Sequence, residues 1–248
     1  MSELADRLTR IEGKAKSGST LRVRPRDAAT LVLLDHSHRH PRVLVGRRHD
    51  RHAFMPGKFV FPGGAIHVSD GMMPTLGALD PDCERRLIAG LTRASPRRAR
   101  AFALAAIRET CEETGLLIGR KNGDGAPLPS CPPDWAAFVE EGVAPDLSML
   151  SFVARAITPP GRPRRFDTRF FLADRRHVAA EIEDAAGPES EFVELKWMRL
   201  SEAKNAGLPT ISKVVLTEIE RRLAAPRSNP PVPFYFFRRG RFWREEIA

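Results

Sequence analysis

Residues 108–116, Arg-Glu-Thr-Cys-Glu-Glu-Thr-Gly-Leu, decide how the rest of the chain is read. They close a predicted helix that begins just after Ser95. At about 100° of rotation per residue, Glu109, Glu112 and Glu113 share one face, and Leu104, Ile107 and Cys111 fall on the opposite one. Ser95 can cap the helix, Pro96 suits its first position, and Gly115 can supply the left-handed residue that ends it. Three carboxylates on one face repel one another unless a cation sits between them, and carboxylate oxygens suit Mg²⁺ or Mn²⁺ better than softer metals. Acid at a helix C-terminus also opposes the macrodipole. On spacing alone, a solvated acidic helix end is an equal reading.

Upstream, residues 59–64 read Phe-Val-Phe-Pro-Gly-Gly, a short apolar strand running into a turn. The glycine pair, an acid and Arg-Glu-x-x-Glu-Glu-x-Gly together resemble the box of the Nudix hydrolases. Gly64, Arg108, Glu109, Glu112, Glu113, Gly115 and Leu116 match it. Asp70 stands where glutamate is usual, Thr110 replaces an aliphatic residue, and residues 71–107 fill a gap that is ordinarily seven residues long. The excess is read as an insertion over 71–94, because loops lengthen at modest entropic cost.

The resemblance implies an α/β fold, a Nudix-type α/β/α sandwich with a mixed sheet. It also implies that Glu109, Glu112 and Glu113, with the Gly63 carbonyl, hold Mg²⁺ or Mn²⁺, that one of these glutamates acts as base, and that Arg108 orients a glutamate. Gly64 is expected beside the substrate. Nudix enzymes often draw a further acid from the loop before a late strand, here the strand containing Glu194 to Met198, which makes Glu189 and Glu191 candidates.

Residues 44–64 are similar to the coenzyme A and acyl-CoA diphosphatase branch of that family. Arg48, Gly57 and the 61–64 run keep the spacing of its upstream signature, while Ala53 occupies the place of a second arginine. A CoA or acyl-CoA diphosphate is therefore the favoured substrate, and ADP-ribose or a nucleotide sugar the alternative. Arg162, Arg164 and Arg165, beside a predicted hairpin, can grip phosphate oxygens or remain solvated charges. Two readings from other classes are a Nudix-like ligand sensor and an RNA-binding or decapping protein.

The chain has 248 residues and a net charge of +9. Its positive charge is mostly arginine spread along the chain, so nucleic acid is not the expected partner. Cys83, Cys111 and Cys131 form neither an even set nor a metal spacing, which points to a reduced, cytoplasmic setting. No apolar run has membrane-span length.

Residues 1–20 read as a polar leader, 21–225 as the Nudix domain and 226–248 as an aromatic, basic tail forming a hairpin. The tail's aromatics need cover, from their own domain or from a second copy in a homodimer. Strands are expected over Ala28–Leu34, Arg42–Val45, Phe152–Thr158 and Arg165–Ala173, with the histidines of 36–41 in a polar turn rather than a metal site. The alternation of 165–171 makes Asp167 and Arg169 an edge-facing pair. Helices are expected over 201–206 and 210–224, and the insertion is expected to lie beside the catalytic cleft.

Overall fold

The computed structural model describes residues 3–12, 23–51, 55–122, 131–183, 185–187, 190–225 and 229–248. Ala53, Glu189 and most of the 1–20 leader lie outside the described residues. The helix α1 (Glu3–Glu12) precedes strands β1 (Arg26–Asp35), β2 (Arg42–Arg48), β3 (Phe59–Val60) and β4 (Gly63–Ala65). Next come α2 (Pro81–Ile88), α3 (Pro96–Thr114), β5 (Leu116–Ile118) and β6 (Arg120–Lys121), followed by α4 (Ala136–Glu140), β7 (Val143–Ala144), β8 (Ser151–Ile157) and β9 (Phe166–Asp174). The series ends with β10 (Val178–Glu181), β11 (Phe192–Arg199), α5 (Leu200–Asn205), α6 (Thr210–Ala224), β12 (Val232–Arg238) and β13 (Arg241–Ile247).

One large sheet runs in the order β11-β2-β1-β9-β8-β12-β13, with β3 added to β2 and β4 to β1. It is mixed: β1 with β9 and β8 with β12 are parallel, and the other described pairs are antiparallel. Alternation along β1 divides the core in two. Leu31 and Leu33 join α2 and α3 on one face, while Val32 and Leu34 join α1, α5 and α6 on the other. Period-two side chains with apolar residues on both faces require cover on both, and the two helical layers supply it. The chain is thus an α/β/α sandwich on a mixed sheet. No helix among the described residues is long and apolar enough to cross a membrane.

Helix α3 has the expected ends. Ser95 Oγ accepts from the Arg98 N–H at 3.2 Å, Pro96 opens the first turn, and Gly115 adopts φ 72° beyond Thr114. A Cβ on Gly115 would meet the Ile182 carbonyl at 2.3 Å, so conformation and space both require glycine there.

Two expectations are corrected. Asp167 and Arg169 are not an edge pair: β9 lies between β1 and β8, and Arg169 is 0% exposed. Its guanidinium rests on the Phe102 ring at 3.9 Å and its Nη1 donates to Asp27 at 3.0 Å, which is how a charge is tolerated in that layer. The insertion, expected beside the cleft, lends no residue to the wall of the cavity that holds Glu109, Glu112 and Glu113. Its helix α2, capped by the Asp80 carboxylate, buries Cys83 and Leu87 in the core shared with α3, because its apolar positions fall on one face.

The aromatic tail forms the β12–β13 hairpin and extends the sheet beyond β8. Tyr235 and Phe242 are buried in the same core as α1 and α6.

Candidate active site

The site grows from the last turns of α3 and the glycine turn at β4. Gly63 N–H donates to Glu113 Oε2 at 2.9 Å, fixing one carboxylate against the strand. A Cβ on Gly64 would lie 2.4 Å from Glu109 Oε2, so a larger residue there would push the second carboxylate out of its place.

Arg108 is 1% exposed and ties the cluster together. Its Nε and Nη2 donate to Asp70 at 2.7 and 3.2 Å, and Nη2 also donates to the Ala65 carbonyl at 3.0 Å. Its Nη1 donates to Glu109 Oε1 at 2.9 Å and to Glu112 Oε2 at 3.1 Å. Burial opposes the guanidinium charge, but the Asp70 hydrogen bonds and the charges of Glu109, Asp70 and Glu112 more than offset it, so Arg108 holds its proton more firmly than usual.

The carboxylates have the opposite problem. Burial, and then the charge of Glu109, push Glu113 well above the ordinary carboxylate range, although the Gly63 N–H works against the rise. Burial raises Glu109 as well, against the pull of Arg108. Acid exceeds base here in a place sheltered from water, and an added cation would relieve it.

The donor set is all oxygen, which fits a hard divalent ion such as Mg²⁺ or Mn²⁺. Among the described residues, no three His, Cys, Asp or Glu side chains are already gathered as a coordination set. Glu109, Glu112 and Glu113 instead spend their oxygens on Arg108 and the Gly63 N–H.

The three glutamates line a cavity of about 610 Å³, within the usual ~300–1,000 Å³ range of ligand pockets. Glu191 is on its wall and pairs with Arg48 at 2.6 Å. Gly63, Gly64, Arg48 and Arg164 also line it, and none of the lining residues falls within 71–94. Arg165 does not reach it. Its guanidinium is spent on the backbone carbonyls of Thr158 and Val23, at 3.0 and 2.8 Å. Arg162 turns away to pair with Glu12 at 3.0 Å.

Sequence reasoning left three participants outside the site. Asp70 was visible as the acid standing in the box, but its bidentate grip on Arg108 crosses 38 residues of sequence. Arg26, at the start of β1, and His67, just after β4, both line the cavity. His67 stands 3.4 Å from Asp134, and nothing in its local sequence marks that pairing.

No protein-family profile matches the chain. Among curated proteins, acyl-coenzyme A diphosphatase NUDT19 of Gallus gallus is 29% identical over 179 residues, covering 52% of this chain and 47% of that protein. Its Homo sapiens counterpart is 27% identical over 213 residues, covering 67% and 56% respectively. This chain therefore spans about half the length of the curated relatives it matches. Among solved structures, a NUDIX hydrolase from Alicyclobacillus acidocaldarius is 28% identical, with a TM-score of 0.58 over 79% of this chain and 91% of that one.

Proposed function

Because this chain belongs to the Nudix family, close to its acyl-CoA diphosphatase branch, we propose that it is a metal-dependent hydrolase of a diphosphate linkage in a nucleoside diphosphate derivative, with CoA or acyl-CoA as the favoured substrate. The observation that carries the reading is the Arg108 cluster, in which one buried guanidinium aims Glu109 and Glu112 while Gly63 holds Glu113 beside them. A fold kept without its chemistry has little reason to keep such an excess of buried acid.

A diphosphate is anionic and slow to hydrolyse, so its catalyst must neutralise oxygens, place water and stabilise the leaving phosphate. Glu109, Glu112 and Glu113, with the Gly63 carbonyl, would hold Mg²⁺ or Mn²⁺. When bound, such an ion polarises phosphoryl oxygens and makes water a better nucleophile.

The chain's own residues do the rest. Arg108, clamped by Asp70, fixes the angles of Glu109 and Glu112. One of the three glutamates takes the proton from the attacking water. Arg48, Arg164 and Arg26 of the cavity wall present guanidinium forks to the phosphates, and Gly64 lets the substrate approach the β4 backbone. Glu191 holds Arg48 in place, and Glu189 is the second candidate for an additional acid.

The setting we assign is the cytoplasm, since Cys83, Cys111 and Cys131 form neither an even set nor a metal spacing. The two ligand-sensor and RNA readings receive no comparable cluster of observations.

A hydrolysis screen with Mg²⁺ and Mn²⁺ over CoA, acyl-CoA, ADP-ribose, dinucleoside polyphosphates and nucleoside triphosphates tests the proposal. We expect CoA-type diphosphates to be cut fastest. Far faster turnover of ADP-ribose moves the assignment to the alternative substrate, and no turnover of any compound defeats the enzymatic reading.

A further inference from the structure

The catalytic cavity does not end at its phosphate-facing wall. A second cavity of about 460 Å³ shares Met55, Thr158, Thr168, Phe170, Pro209 and Ile211 with the first, so the two form one trough over a common floor. The chemistry changes along it. At one end are the glutamates and Arg26, Arg48 and Arg164. At the other the walls are Leu8 of α1, Ala156 and Ile157 of β8, Leu208 and Phe242.

The charges at this far end are mostly spent. Glu12 and Arg162 pair with each other at 3.0 Å, and the stem of Lys58 can lie along apolar surface. Leu8, Ala156, Phe170, Leu208 and Phe242 are all buried members of the core between the sheet and α1, α5 and α6. The far cavity is therefore an opening in that core layer, and an apolar guest would regain the contacts its lining lacks. A polar guest would forfeit its hydration there without replacement.

We infer that this second cavity takes the aliphatic acyl chain of an acyl-CoA, its thioester arm running over Phe170 and Ile211 from a diphosphate held at Glu109, Glu112 and Glu113. The placement of the diphosphate rests on the function proposed above, whereas the acyl site rests on the far cavity itself. An acyl-CoA carries its diphosphate and its apolar chain at opposite ends of one flexible arm, the same order in which the trough turns from charged to apolar. Free CoA has nothing to place beyond Ile211, and a nucleotide sugar or dinucleoside polyphosphate would bring a polar group there.

The full chain, held in EDTA, is titrated calorimetrically with CoA and with acetyl-, hexanoyl- and decanoyl-CoA, and hydrolysis of the same series is then followed with Mg²⁺. Burial of added methylenes predicts that Kd falls by at least about tenfold from acetyl to decanoyl. Ala156→Phe, which fills the far cavity, and Leu208→Gln, which makes it polar, should each erase most of that gain while kcat/KM for free CoA stays within about twofold. A Kd in the unaltered protein that ignores chain length overturns the inference. Equal losses for CoA and decanoyl-CoA in a variant that remains folded do the same. Binding that tightens with chain length without hydrolysis of any compound removes the diphosphatase reading and leaves the acyl site standing.

Discussion

The two ends of α3 each bury an arginine cluster, and they balance charge in opposite ways. Near the first turns, Arg98 and Arg169 share Asp27 at 2.5 and 3.0 Å, and Arg155 grips Asp167 with both prongs at 2.9 and 2.7 Å. The surplus there is cationic, and aromatic faces absorb it: Arg169 lies on Phe102 and Arg155 on Phe234. Burial pulls Arg169 down to about 10, so it stays charged at neutral pH. At the last turns one guanidinium, Arg108, faces Asp70, Glu109 and Glu112, with Glu113 close behind. The surplus there is anionic, and its relief must come from outside the chain. A buried ionic cluster whose surplus is absorbed inside the chain behaves as a structural part, and one whose surplus is not absorbed there is the candidate for binding an ion from outside.

The contrast breaks first, and most visibly, at Glu113. Glu113→Gln should lower kcat/KM by roughly 10³-fold while leaving the urea midpoint unchanged or raised, since a buried carboxylate with too many acidic neighbours is removed. A large loss of stability with activity retained would make the second cluster structural like the first. The mirror experiment is Asp167→Ala, which leaves Arg155 without a carboxylate and Arg169 with Asp27 alone. It should cost about 3–5 kcal/mol in equilibrium unfolding, with the remaining folded protein turning over normally.

Adding ions sharpens the comparison further. Mg²⁺ or Mn²⁺ at roughly 100 times its Kd should stabilise the protein by about 2.7 kcal/mol, seen as a rise in Tm. That gain should vanish in Glu112→Gln and persist in Asp167→Ala; a rise of the same size in both would place the ion elsewhere. The smallest effect belongs to the helix end that carries no chemistry. Ser95→Ala removes the cap and should cost about 1 kcal/mol of stability without moving kcat.

Sequence alone was most informative where information is local. The helix, its cap, its terminal glycine and the carboxylate face all sit within residues 95–116, and the period-two strands carry their own pattern. It failed where meaning depends on which strand lies beside which. Alternation made Arg169 look like an edge residue, because a solvated position and a buried one stacked on Phe102 have the same period. Arg165 looked as available to phosphate as Arg164, and only the path of the backbone near Thr158 and Val23 separates them. Asp70 could be placed in the box but not against Arg108, since the intervening insertion hides the contact until the chain is folded. The insertion was expected beside the cleft, and only the folded chain shows Cys83 and Leu87 of its helix packed into the core with α3.

The β12–β13 hairpin bears on the order in which the two core layers can close during synthesis. Thr9 of α1 accepts a hydrogen bond from the Phe242 N–H, a partner made 233 residues later, and β12 lies beside β8 only after the helices between them have emerged. Helix α1 must therefore wait with its apolar face only partly covered, by α6, until β13 arrives. Contacts of such long sequence separation slow folding and prolong exposure to aggregation. A ribosome-bound chain lacking β12 and β13 should hold α1 loosely even when the α3 layer is already packed.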